Sequence, residues 1–206
     1  MGDPEVEAGI DWVRVGMLLA MGLAVALALA LIGALALGWN DPRPGGPADW
    51  TDASLPRRLE AVPGEATVSL LDRPAGDFTL EVLARPVDAP ASGFYGYGLV
   101  YRAEDPTHYY AFAVGGDGYY AVLRVDGGEE SALVPWQQFP HIERGEEVNR
   151  LRVSCAGGSC DFAINDEYAA TVEDETQLAG DVGLWARAFE ERVVVRFLEA
   201  RLWTSD

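Results

Sequence analysis

The residues with the clearest chemical potential are aromatic. Tyr95, Tyr97 and Tyr101 share one face of an alternating run, and Tyr109, Tyr110, Phe112, Tyr119, Tyr120 and Trp136 fall on neighbouring runs. Aromatic faces stack on sugar rings, and tyrosine hydroxyls can bond to sugar hydroxyls. The same residue types also fill cores and pair across strands. The set that would line a groove is Tyr97, Tyr101, Tyr109 and Trp136, with Arg102 as a polar partner.

Motifs for other chemistry are missing. There is no Gly-x-Ser-x-Gly elbow, no phosphate loop and no His-Glu-x-x-His. Gly96-Tyr97-Gly98 imitates the start of a dinucleotide fingerprint, but it leads into a strand and lacks the third glycine. His108 and His141 are the only histidines, too few for a zinc site of the usual kind. No cofactor is implied. Asp105, Asp117, Asp126 and Asp174 sit in turns and offer the oxygen ligands that calcium takes. None of these loops is an EF-hand, and aspartate is a common turn residue in any case.

Cys155 and Cys160 flank Ala156-Gly157-Gly158-Ser159, a turn between two expected strands. Across a hairpin that spacing brings two Cβ atoms near bonding range. A disulfide would contribute about 2–3 kcal/mol by closing a short loop, and it requires an oxidising compartment. Two reduced, packed cysteines are the alternative.

The elements that must position these residues come in two kinds. Val15 to Trp39 is a run of 25 residues without a charge, built almost wholly of Leu, Ala, Val, Gly, Ile and Met. As a helix it measures roughly 37 Å, enough to cross a hydrocarbon core of about 30 Å. The preceding residues 1–14 are acidic, so the run reads as a signal-anchor, not a cleaved leader, although Ala34-Leu35-Ala36 imitates a cleavage site. Gly22, Ala26, Ala30, Ala34 and Gly38 recur every four residues, a row of small side chains that permits close approach of another helix. Residues 40–56 hold four prolines and two glycines, which predicts an extended stalk without regular structure.

From Arg57 onward the pattern is short alternating runs broken by Gly, Asp and Pro. Strands are predicted at 77–84, 95–102, 109–114, 119–125, 148–155, 161–165, 168–173, 182–188 and 193–203. Many short strands with turn signals every 8–12 residues predict an antiparallel β-sandwich over 57–206. The chain of 206 residues has a formal charge of −18, and its cations are all arginine. That excess of negative charge disfavours a nucleic-acid partner.

The motifs Tyr97-Gly98-Leu99-Val100-Tyr101-Arg102, Tyr109-Tyr110-Ala111-Phe112 and Asp117-Gly118-Tyr119-Tyr120 carry a resemblance. So do Leu133-Val134-Pro135-Trp136, Asn149-Arg150-Leu151-Arg152-Val153, Phe162-Ala163-Ile164-Asn165 and Val182-Gly183-Leu184-Trp185-Ala186. Together they resemble the concanavalin A-like jelly-roll superfamily, in particular laminin-G-like and 3-keto-disaccharide hydrolase-like domains. The resemblance implies a jelly-roll sandwich and a range of roles from lectin to glycosidase. Its retaining glycosidases carry a Glu-x-Asp-x-x-Glu arrangement, which would supply nucleophile and acid. That spacing does not occur here, and Glu173-Asp174-Glu175 are consecutive residues at a strand end.

The expectation is therefore a single-pass membrane protein with an acidic cytoplasmic head and an extracytoplasmic jelly roll. That jelly roll would be non-catalytic and bind carbohydrate or cell-envelope material. The alternative is an accessory subunit that associates with other transmembrane subunits through its helix and its sandwich surface.

Overall fold

The computed structural model describes residues 12–36 and 46–205. They form two separate units, a helix and a sandwich.

Helix α1 runs from Trp12 to Ala36 and includes Arg14. It starts three residues before the expected run, and residues 37–39 and the head 1–11 lie outside the described residues. Its described side chains are apolar and outward, with Leu19, Leu23, Leu27 and Leu31 all more than half exposed. Counting only those described side chains, no helix is long and apolar enough to cross a membrane.

Among the described residues the sandwich holds thirteen strands. The first four are β1 (Trp50–Thr51), β2 (Arg57–Ala61), β3 (Ala66–Ala75) and β4 (Phe78–Asp88). Then come β5 (Tyr95–Asp105), β6 (His108–Gly115), β7 (Tyr119–Asp126) and β8 (Glu129–Gln138). The last five are β9 (Asn149–Ala156), β10 (Ser159–Ile164), β11 (Glu167–Glu173), β12 (Gly180–Ala188) and β13 (Val193–Thr204). Sheet A has the order β1-β13-β4-β9-β10-β11, with β2 also paired to β13, and sheet B has the order β3-β12-β5-β6-β7-β8. All strand pairs are antiparallel.

Alternation builds the core. Phe78, Leu80, Val82 and Ala84 on β4 point inward, as predicted, and meet Leu151 and Val153 of β9 and Phe162 and Ile164 of β10 in one cluster. On β13 the inward set is Val193, Val195 and Phe197, then Ala200 and Leu202. The change from odd to even follows a bulge between Phe197 and Glu199, where an extra residue flips the side-chain phase.

Cys155 and Cys160 are bonded to each other and sit directly opposite on β9 and β10, joined through the Gly157-Gly158 turn. Buried Asn149 ties the same sheet to a loop. Its amide donates to Tyr97 Oη and Glu143 O, and its oxygen accepts from Glu143 N and Asn165 Nδ2, at 2.7–2.9 Å.

The predicted stalk needs correcting in its described part. Residues 50–51 form β1 against Arg201 and Leu202, and Asp49 accepts from Thr204 N at 2.8 Å. Trp50 and Leu55 pack on the core cluster, and the Arg73 guanidinium lies 5.3 Å from the Trp50 ring centre. Burial of these two apolar side chains outweighs the turn-forming composition around them. Residues 40–45 lie outside the described residues.

Candidate binding face

Each strand of sheet B presents one set of side chains to sheet A and the other set outward. On β5 the inward set is Tyr95, Tyr97, Leu99 and Tyr101, so Tyr97 and Tyr101 are 1% and 2% exposed in the inter-sheet core. Tyr101 stacks on Tyr110 with ring centres 5.2 Å apart, and burial pushes both Tyr97 and Tyr101 hydroxyls well above the ordinary tyrosine range. Neither can line a groove, which corrects the expectation. Arg102 is equally buried, at φ +50, where the register shifts between Tyr101 and Asp105. Its guanidinium donates to Gly157 O at 2.6 Å and Gln177 O at 3.3 Å, so it holds the disulfide turn against the loop before β12. It is a structural cation and offers nothing to a groove.

Tyr109 and Trp136 do reach the outward face. They pack there with Trp185 over a floor of Ala111, Ala113, Ala121 and Leu123. The Trp185 indole donates to Tyr109 Oη at 3.3 Å. Burial raises the Tyr109 hydroxyl, and the Trp185 bond works against that rise. Gly96 makes the indoles' position possible. A Cβ there would stand 2.9 Å from the Trp185 ring and 3.2 Å from the Trp136 ring.

This face is concave. Arg187 on β12 is bonded to Glu130 on β8, although β5, β6 and β7 lie between them. Four strand spacings in a flat sheet would be about 19 Å, beyond the reach of the two side chains, so the sheet must curl. The curl leaves a polar cleft of about 440 Å³, lined from one rim by Gly64, Ala66 and Arg187 and from the other by Tyr109, Glu129 and Glu130.

Beyond Arg187 lies a second hollow, about 280 Å³ and mainly aromatic. Phe94, Tyr95, Tyr119, Trp136 and Phe189 line it, with Asp117. Phe94 and Phe189 lie 4.7 Å apart, and Trp136 meets Phe189 edge-on at 6.1 Å. Phe94 and Tyr119 remain 45% and 39% exposed, unusual for large apolar rings in this sandwich. Asp117 Oδ1 accepts from Tyr119 N at 3.2 Å, which fixes the carboxylate at the pocket's edge. Burial and the nearby Asp117 charge raise the Tyr95 hydroxyl.

Sequence reasoning missed Arg187, Phe189, Phe94, Tyr119 and Asp117 as lining residues, and Trp185 as the buried indole beneath them. The signal was present on β12, where Val182, Leu184 and Ala186 alternate with Gly183, Trp185 and Arg187. Only one of those sets can face inward.

The four turn aspartates do not converge. Asp105 and Asp126 flank His108, at 3.1 and 3.6 Å. Asp117 belongs to the aromatic pocket, and Asp174 accepts from Thr176 N at 2.7 Å. Among the described residues no group of three or more His, Cys, Asp or Glu is arranged to hold a metal. Glu173 accepts from Ser159 Oγ, and Asp174 N bonds to Gly158 O, so that acidic run closes a turn.

No family model matches this sequence, and no curated protein matches it either. Solved structures do. The carbohydrate binding module CBM66 from Bacillus subtilis superposes with a TM-score of 0.60 at 14% identity, over 76% of this chain and 97% of that one. The GH43 protein BlXynB from Bacillus licheniformis gives 0.53 at 15% identity, over 72% of this chain but 32% of that one. These likenesses show the fold alone: the described residues form a two-sheet antiparallel β-sandwich, in line with the jelly-roll expectation.

Proposed function

We propose that this chain is a membrane-anchored, non-catalytic binding module that takes a carbohydrate or other cell-envelope ligand on the outward face of sheet B. The observation that carries the reading is the aromatic pocket at one end of that concave face. Five rings and a fixed carboxylate around about 280 Å³ offer stacking surface and a hydrogen-bond acceptor together. The fold it shares with a carbohydrate binding module supports the same role.

Anchoring rests on the uncharged run 15–39, most of which lies in α1. The Cys155–Cys160 disulfide supports placing the sandwich in an oxidising, extracytoplasmic space.

The second reading is an accessory subunit of a larger membrane assembly. One observation favours it: a Cβ built on Gly22 meets nothing within 4 Å, so the small-residue row is open to a partner helix. Ala26 and Ala30 continue that row, while Gly38 lies outside the described residues.

The test uses the full chain in an uncharged polyoxyethylene detergent, which carries no sugar. Thermal unfolding is followed against an oligosaccharide panel, with and without Ca²⁺. A ligand at a hundredfold excess over its Kd adds about 2.7 kcal/mol, a shift of roughly 5–10 °C. A shift that Trp136→Ala abolishes supports the glycan reading. A flat panel, with an oligomer that Ala30→Leu dissociates, supports the accessory reading.

A further inference from the structure

The charges around the aromatic pocket narrow its ligand. Asp117 is the one charged side chain among its described lining residues. One oxygen of that carboxylate is engaged by Tyr119 N, which orients the group without neutralising it. No ion pair to Asp117 occurs among the described residues. Two arginines stand close. Arg187 is neutralised by Glu130, and the guanidinium of Arg144 would lie 2.8 Å from a Cβ built on Gly118.

The rings themselves accept cations. The Arg187 guanidinium already lies 5.3 Å from the Phe189 ring centre, and Trp and Tyr faces attract positive charge in the same way. In the neighbouring cleft, Glu129 adds a second carboxylate beside the paired Glu130. The whole chain carries 33 acidic residues against 15 basic ones, a field that concentrates cations and repels anions.

Resting on the glycan reading above, we infer that the pocket selects an amino sugar whose amine is free and protonated. The sugar ring stacks against Trp136 and Tyr119, and the ammonium group lies within reach of Asp117 and the ring faces. An N-acetylated sugar would stack as well but would bring no charge to Asp117. A uronic acid would be repelled. The pocket, at about 280 Å³, lies just below the roughly 300–1,000 Å³ range of ligand sites, a size suited to one or two sugar rings.

The probes are a glucosamine tetramer and its fully N-acetylated counterpart. Each is titrated by calorimetry into the full chain in polyoxyethylene detergent. The free-amine tetramer is expected to bind about tenfold tighter at low salt, with the advantage shrinking as salt rises. Asp117→Asn keeps an acceptor for Tyr119 N. It should erase that advantage, so that the two tetramers bind the variant within about twofold of each other. Equal or tighter binding of the N-acetylated tetramer overturns the inference and leaves the glycan reading standing. A free-amine preference that survives Asp117→Asn also overturns it, since the preference would then be bulk electrostatics. Failure of both tetramers to bind overturns this inference, while the glycan reading falls only if the whole oligosaccharide panel is flat as well.

Discussion

On β5 the odd residues Tyr95, Tyr97, Leu99 and Tyr101 face the second sheet, while Gly96, Gly98 and Val100 face outward. Both faces are aromatic, yet they use the rings differently. The inner face fills its volume with tyrosines whose hydroxyls are buried, as where Tyr97 accepts from Asn149. The outer face starts from glycine and alanine, and lays Trp185 and Trp136 across that low floor. An aromatic ring rooted in a tight core is packing. Trp185 is itself fully covered there, while Trp136, at the rim of the curled sheet, keeps part of its ring on the aromatic pocket. Residue type does not separate the two; parity along the strand does, except at the end of β5, where inward Tyr95 still reaches the aromatic pocket.

The comparison breaks first at the core. Tyr97→Ala or Phe112→Ala should cost roughly 3–5 kcal/mol, read by chemical denaturation. Trp136→Ala, on the other face, should lose ligand binding with a much smaller change in stability. A Tyr97→Ala variant that unfolds normally but no longer binds would reverse the assignment of the faces.

Asn149→Ala should come next, at about 2–3 kcal/mol, because it strands Tyr97 and Glu143 partners inside the protein. Replacing both Cys155 and Cys160 with serine should cost about 2 kcal/mol and lower Tm by roughly 4–8 °C, with the binding face unaffected. Gly96→Ala sharpens the contrast. It should cost about 1 kcal/mol and weaken binding several-fold, since its methyl displaces the two indoles.

The smallest effect is electrostatic. Asp105 and Asp126 raise the exposed His108, chiefly through the Asp105 hydrogen bond. This contribution is complete below the ordinary histidine value near 6.5 and is lost as pH rises through the raised one. Hydrogen bonds from Thr107, then His108, hold Asp105 down to about 2. Its share is present above the ordinary aspartate value of about 3.9 and is lost as pH falls toward 2. A His108→Gln variant should converge on wild-type stability at alkaline pH and fall below it near pH 6.

Legibility in the sequence followed clean alternation more than position, since the edge strand β11 was as readable as the interior ones. Interior strands such as β4, β5, β6 and β9 carry clean alternation and were placed within a few residues. β3 and β8 are the two edges of sheet B, and both went unread. Edge strands tolerate Pro74 and Pro135 and charges such as Glu129 and Glu130, which imitate turns when read locally. The disulfide was legible because a hairpin of that length leaves little choice of partner. The site was half legible. Tyr109 and Trp136 belong to it, but Tyr97 and Tyr101 share a parity that only the second sheet resolves. The curl that brings Arg187 to Glu130 spans 57 residues and no local pattern announces it.

The short strand β1 also has a mechanical meaning. Any pull arriving along the chain from residue 46 first meets Gly46 O against Trp203 Nε1, Asp49 against Thr204, and two residue pairs with β13. These bonds sit one behind another, so they give way in turn, like a zip. Behind them, β13 is held to β4 along ten residue pairs. Under tension β1 therefore acts as a release clasp, freeing a few residues ahead of β2 while the concave face keeps its shape.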